Sequence, residues 1–289
     1  MVKKVRVPVD MLTLEGKSAL ALAAEHRHPD AVEALLALGA NPNLRQKNGP
    51  IIQTALFNWP DVGEQTPESM EASRRCVRLL IAAGADVRYR PRKHDWPCLS
   101  PAVQHDLELT RMLLEAGADY DASSTLGFPL LHACQEGRVD TAKALLEQGA
   151  TVNQRTSDGW SAVLWAAAHG PDFTRMLLDA GADPRSMTDD GFNLVWAACR
   201  SAQDDEADTM VDALVRGAER AGARVEVIAA GQQEDTALAT LRLVIAAGAD
   251  PLARMDGKTP LQDKSIPEAL RAVIADASGK PLPAKRARR

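Results

Sequence analysis

Aromatic residues are scarce in this 289-residue chain, at 4% of the total. Alanine dominates the apolar share, so the interior has to be built from small residues and closely approaching helices. Cysteine is scarce too. Cys76, Cys98, Cys134 and Cys199 are scattered with no Cys-x-x-Cys pair, which speaks against a zinc site or a disulfide framework. No apolar run reaches the roughly 18 residues that a membrane-crossing helix needs. The basic start, Met1 to Asp10, lacks the apolar stretch of an export signal, so a cytoplasmic location is expected.

Catalytic signals are also missing. There is no Gly-x-Ser-x-Gly elbow and no His-Glu-x-x-His helix. Glu15-Gly16-Lys17-Ser18 and Gly257-Lys258-Thr259 end like a phosphate-binding loop, but Met11 and Leu252 stand where that loop needs its first glycine. His26 and His28 have no carboxylate or cysteine beside them at metal-ligand spacing. The chain therefore reads as non-enzymatic, with no catalytic residue, cofactor, metal or small-molecule substrate. An enzyme site within residues 200–240, which the pattern does not parse, is the alternative.

What is present is the composition of a folded protein, with 45% apolar and 25% charged residues. Net charge is −5, unevenly spread. Residues 278–289 hold Lys280, Lys285, Arg286, Arg288 and Arg289 with no acid, leaving about −10 on the rest. Such a body repels nucleic acid, so nucleic-acid binding is not expected; an adaptor or secreted effector whose basic tail directs nuclear import or nucleic-acid contact is an alternative reading.

The chain repeats. Two large aliphatic residues, two spacers and Gly-Ala recur at Leu35-Leu36 before Gly39, Leu80-Ile81 before Gly84, Leu113-Leu114 before Gly117, Leu145-Leu146 before Gly149, Leu177-Leu178 before Gly181, and Val244-Ile245 before Gly248. The glycine spacings are 45, 33, 32, 32 and 67, a period of 32 to 33 with two enlarged gaps. Each glycine ends a helix in the left-handed conformation that a Cβ disfavours. About ten residues later come Gly16, Gly127, Gly159, Gly191 and Gly257, followed by short segments, alanine-rich in several units, such as Ser18 to Ala24. One unit is thus an extended turn and two short helices, stable only when stacked on its neighbours.

These motifs resemble the ankyrin repeat family. Gly257-Lys258-Thr259-Pro260-Leu261 is the cleanest copy of the pattern's first half, and Gly248-Ala249-Asp250-Pro251 and Gly39-Ala40-Asn41-Pro42-Asn43 copy its second. The Thr-Pro pair is replaced by Pro129-Leu130 in the fourth unit and Ser161-Ala162 in the fifth, where the hydrogen bonds that start the first helix are expected to change. The resemblance implies an all-α ankyrin-repeat solenoid. Residues 1–12 read as a lead-in and 13–277 as an array of about seven units. Within the array, 58–69 is an inserted loop, about 200–240 an expanded or degenerate unit, and 254–277 a C-terminal cap. Residues 278–289 read as a disordered basic tail.

On the 32-residue period Trp96, Phe128, Trp160 and Phe192 share one column. The resemblance places that column where the turn finger enters the first helix, on the concave, partner-facing side. Partner-binding candidates are these four rings with Arg92, Asp158 and Asp190 as part of a polar rim. The competing reading is that the rings pack internally between repeats. Trp196 occupies the place of the family's histidine and is expected to be buried; His132 matches that histidine and is expected to be structural. Function is then binding of an unidentified protein, as a regulator or inhibitor, by a chain that is monomeric when unbound. The Ala/Arg-rich usage fits a bacterial source.

Overall fold

The computed structural model describes residues 8–46, 49–57, 66–88, 98–123, 127–200, 230–255 and 257–282. The chain divides into two compact units, Met1–Pro129 and Leu130–Arg289. In the first, helices come in pairs: α1 (Ala19–Glu25) with α2 (Pro29–Ala37), α3 (Ile51–Phe57) with α4 (Pro67–Ala82), and α5 (Leu99–His105) with α6 (Leu107–Glu115). The first helices α1, α3 and α5 adjoin in one layer and the second helices α2, α4 and α6 in another. The second unit follows the same plan. Its elements are α7 (Pro129–Gln135, starting at the division), α8 (Val139–Glu147), α9 (Ala162–Ala168), α10 (Pro171–Asp179), α11 (Leu194–Arg200), α12 (Ala230–Ala246), a single 3-10 turn (Pro260–Gln262) and α13 (Glu268–Ser278).

The first helices are seven residues long and cannot persist alone. Packing holds them. Leu20, Ala21, Ala23 and Ala24 of α1 are buried, as are Ala162, Val163, Leu164, Ala166 and Ala167 of α9. Small side chains let the two layers approach. Helix starts are satisfied locally: Ser18 Oγ accepts from Ala21 N at 3.2 Å, Thr66 Oγ1 from Ser69 N at 3.2 Å, and Asp106 Oδ1 from Leu109 N at 3.1 Å. In α11 Asn193 replaces the usual threonine and its Oδ1 accepts from Val195 N at 3.0 Å. Ser161, by contrast, caps nothing, and its buried hydroxyl has no hydrogen-bond partner. The substituted fifth unit therefore does start its first helix differently.

Two enlarged gaps resolve in different ways. Thr66 caps α4, whose 16 residues begin at Pro67, so the end of the stretch expected as a loop over 58–69 is helix. Residues 58–65 lie outside the described residues. In the larger gap, α12 packs on both α11 and α10. Those are the contacts of a second helix with its own module's first helix and with the preceding module's second helix. The described parts of 182–248 thus form one module, and residues 201–229 lie outside the described residues.

Successive modules are also tied by side-chain amides. Asn43 Nδ2 donates to Gly84 O at 2.8 Å, and its Oδ1 accepts from Asp86 N at 2.7 Å. In the second unit Asn153 repeats this with Gly181 O at 2.9 Å and Asp183 N at 2.8 Å. Asp10, in the lead-in, takes half of the role, accepting from Asn41 N at 3.0 Å.

On the second-helix layer of the first unit, Arg74 Nε lies 2.7 Å from Asp106 Oδ2, whose side chain is 1% exposed. That bond raises the guanidinium's already high proton affinity. Arg74 also reaches Glu108, and Arg75 reaches Asp30 and Glu33. Arg78, half exposed, meets Glu71 and Glu108. Only the first of these pairs is desolvated. Arg74→Ala should therefore destabilise the first unit by about 3 kcal/mol, because it strands a buried carboxylate, whereas Arg78→Ala should cost within about 0.5 kcal/mol. Hydrogen exchange of amides in residues 8–123, read against urea, measures both.

In the second unit His169 Nε2–H donates to Gln135 O at 3.1 Å, joining the ends of α9 and α7. Partial burial of the ring outweighs that bond and lowers its pKa. The neutral form is thus preferred in the fold. Its contribution is complete above the ordinary value of about 6.5 and is lost as pH falls from there through the lowered folded value. Urea midpoints of the second unit should drop as pH falls below about 6.5, and His169→Gln should lessen that drop.

Candidate functional site

The column of rings does not behave uniformly. Phe128 is buried at 1% exposure and Phe192 at 8%, so neither presents a face to a partner. This corrects the expectation of four partner-facing rings for those two: neighbouring residues cover them, and an apolar ring is more stable so covered than in water. Trp96 and Arg92 lie outside the described residues. Trp160 is half-buried.

Trp160 sits where the finger of residues 151–160 runs into α9. The finger is closed by Thr156, whose N–H donates to Trp160 O at 2.9 Å and whose Oγ1 accepts from Trp160 N at 3.0 Å. Thr156 Oγ1 donates to Asp158 Oδ1 at 2.5 Å. The finger of 183–192 repeats the device: Thr188 N–H donates to Phe192 O at 2.8 Å, Phe192 N–H to Thr188 Oγ1 at 3.0 Å, and the Thr188 hydroxyl to Asp190. That hydroxyl holds the Asp190 carboxyl below the usual carboxylate range. Asp158 and Asp190 thus shape their own turns while remaining exposed.

The two fingers lie side by side. Asp189 N–H donates to Asp158 O at 3.1 Å, and Arg155 uses its guanidinium on Gly159 O at 3.2 Å and Met187 O. Gly159 has φ +89°, and a Cβ there would meet Thr188 Cα at 2.9 Å. Glycine is required by both conformation and space.

Trp160 stacks on Trp165 of α9, ring centroids 4.8 Å apart and planes 25° apart. It also meets Phe192, ring centroids 5.4 Å apart and planes tilted by 40°. Trp165 is also half-buried. The result is a two-indole platform standing on a buried phenylalanine. Trp196 differs. It is 6% exposed and its Nε1–H donates to Ala253 O at 3.1 Å, so it belongs to the core; His132 is likewise buried at 1%. Sequence reasoning did not assign Trp165 to the site, because the column is defined by the 32-residue period and Trp165 stands outside it. The signal that could have found it is local: one finger residue and one residue in the first turn of the following helix, both tryptophan.

The cysteines add no reactive group. Burial pushes the thiols of Cys76 up to about 11 and of Cys98 and Cys199 up to about 12, and that of Cys134 upward as well. Among the described residues no three His, Cys, Asp or Glu side chains are grouped to hold a metal ion, and no helix is long and apolar enough to cross a membrane.

The arrangement of finger, first helix and second helix, repeated and stacked, has known counterparts. Family models for ankyrin repeats match residues 124–188 and 15–47. The ankyrin repeat protein YahD of Escherichia coli K12 is 32% identical over 123 residues, 41% of this chain and 53% of that protein. The E3 ubiquitin-protein ligase KEG of Arabidopsis thaliana is 33% identical over 132 residues, which span 44% of this chain and 7% of the ligase. The chain thus spans about half the length of the first of these relatives and a small part of the second. The crystal structure of the human ASB11 ankyrin repeat domain matches in fold with a TM-score of 0.63 at 19% identity, covering 92% of this chain and all of that domain. Residues 15–47 and 124–188 are thus ankyrin repeats, and the described residues share the all-α ankyrin-repeat fold. Ankyrin repeats are protein-interaction modules.

Native thiols should react with an aromatic disulfide reagent at least 100-fold more slowly than the same four thiols in urea, because both burial and suppressed thiolate oppose attack. Rapid reaction of even one thiol in the native chain would contradict this.

Proposed function

We propose that this chain is a non-enzymatic module that holds another protein against the Trp160–Trp165 platform and the finger tips beside it, so regulating or blocking that protein. The observation that carries this reading is the stacked, half-exposed indole pair. Two large rigid rings whose buried sides are fixed by Phe192 and the finger hydrogen bonds can bury their outer surface against a partner with little loss of side-chain entropy. Such rings are the residue types on which interface energy concentrates. Asp158 and Asp190 stand on the tips as a polar rim. Trp96 and Arg92 remain candidates on the same period. A standard interface buries about 1,600 Å² in total, which several stacked modules can supply.

The test is affinity capture with the full chain from native lysate, followed by measurement of the captured protein's Kd for wild type and for a Trp160→Ala/Trp165→Ala variant with an unchanged circular dichroism spectrum. Loss of about 2 kcal/mol or more, close to 30-fold in Kd, is expected for anchors of this kind. A partner bound equally well by both chains would refute the assignment.

A further inference from the structure

The platform has a chemical preference. Trp160 and Trp165 each keep an indole N–H that donates no hydrogen bond among the described residues, unlike that of Trp196. Both rings are half-exposed, and whatever indole face the stack leaves uncovered carries negative electrostatic potential and attracts cations. The two fingers that frame them add charge of the same sign: Asp158, Asp183, Asp189 and Asp190 stand against Arg155 and Arg185. Arg155 stays among them, its guanidinium hydrogen-bonded to the carbonyls of Gly159 and Met187, so the four aspartates outnumber the two arginines and the tips keep a negative balance. Asp158, Asp189 and Asp190 are exposed, and the Asp189 N–H to Asp158 O bond brings the two tips together. The acidic stretch ends at the next finger, which carries Arg254 and Lys258 and abuts Gly191, where a Cβ would meet Arg254 O at 2.5 Å.

Resting on the binding function above, we propose that the platform takes a basic peptide segment of the partner. An arginine or lysine of that segment lies over the outer indole face. Neighbouring basic residues meet Asp158 and Asp189, and its backbone carbonyls accept from the free indole N–H groups. Arginine is favoured over lysine because its planar guanidinium stacks on an indole while its N–H groups still reach a carboxylate in the ring plane. The partner's charge sets both its selection and the salt dependence of its capture.

The test is selection from a bead-displayed random twelve-residue peptide library with the full chain, in parallel with Trp165→Ala and with Asp158→Asn/Asp189→Asn, each first shown to keep the wild-type unfolding midpoint. Wild type should retain a pool enriched at least threefold in Arg plus Lys. Individual retained peptides should bind at least tenfold more weakly to either variant, and the charge variant should also show a flatter dependence on salt. A retained pool of neutral or acidic composition, retention that both variants leave unchanged, or no pool above the bead control would each overturn the proposal. If a chain lacking residues 283–289 retained the basic pool at least tenfold more tightly, the platform would be serving its own tail and not a partner, which would also overturn it. The two readings fail separately. A protein captured in a Trp160/Trp165-dependent way but not displaced by the selected peptides would leave the binding function standing and remove the basic segment.

Discussion

Everything in this chain depends on contact between one module and the next. A seven-residue helix has too few internal hydrogen bonds to offset its ordering, and a pair of them is too small to bury its own apolar face. Stacking removes both problems. The buried faces of α1 and α9 lie against the neighbouring first helices α3 and α11, and the second helices close the other side. Alanine is used so heavily because these layers must come close. The amide bridges from Asn43 and Asn153 then fix the spacing of the turns, since an amide that donates to one carbonyl and accepts from an N–H two residues on tolerates only one register.

The same stacking creates the platform. Because the finger of 183–192 is hydrogen-bonded to that of 151–160, Phe192 comes beneath Trp160, and the indole rests on a neighbour instead of collapsing into its own module. A glycine at 159 is what allows the approach. Polar residues at the tips serve two ends at once: the Thr156–Asp158 and Thr188–Asp190 contacts close the turns, and their carboxylates still face solvent. Rigidity and surface charge therefore have one source.

The fold was legible in the sequence because helix-end glycines, paired aliphatics and a 32-residue period are local or strictly repeating features. The site was only half legible. The period put Phe128, Trp160 and Phe192 in one column, but equal register does not mean equal exposure: Phe128 and Phe192 are taken inward and Trp160 is left half out. Trp165 lay outside the period and had no reason to be grouped with them. In the enlarged 67-residue gap the helix ends were ambiguous in one dimension, and the packing of α12 on α10 and α11 assigned the helix to its module.

Sequence alone therefore determined the class of module, the order of helices and the chemistry available at the finger tips, since each follows from short-range spacing and residue type. Tertiary structure alone decided which aromatic rings stay partly in water and which finger tips lie together. Exposure is a property of what a neighbouring module covers, and no single repeat contains that information.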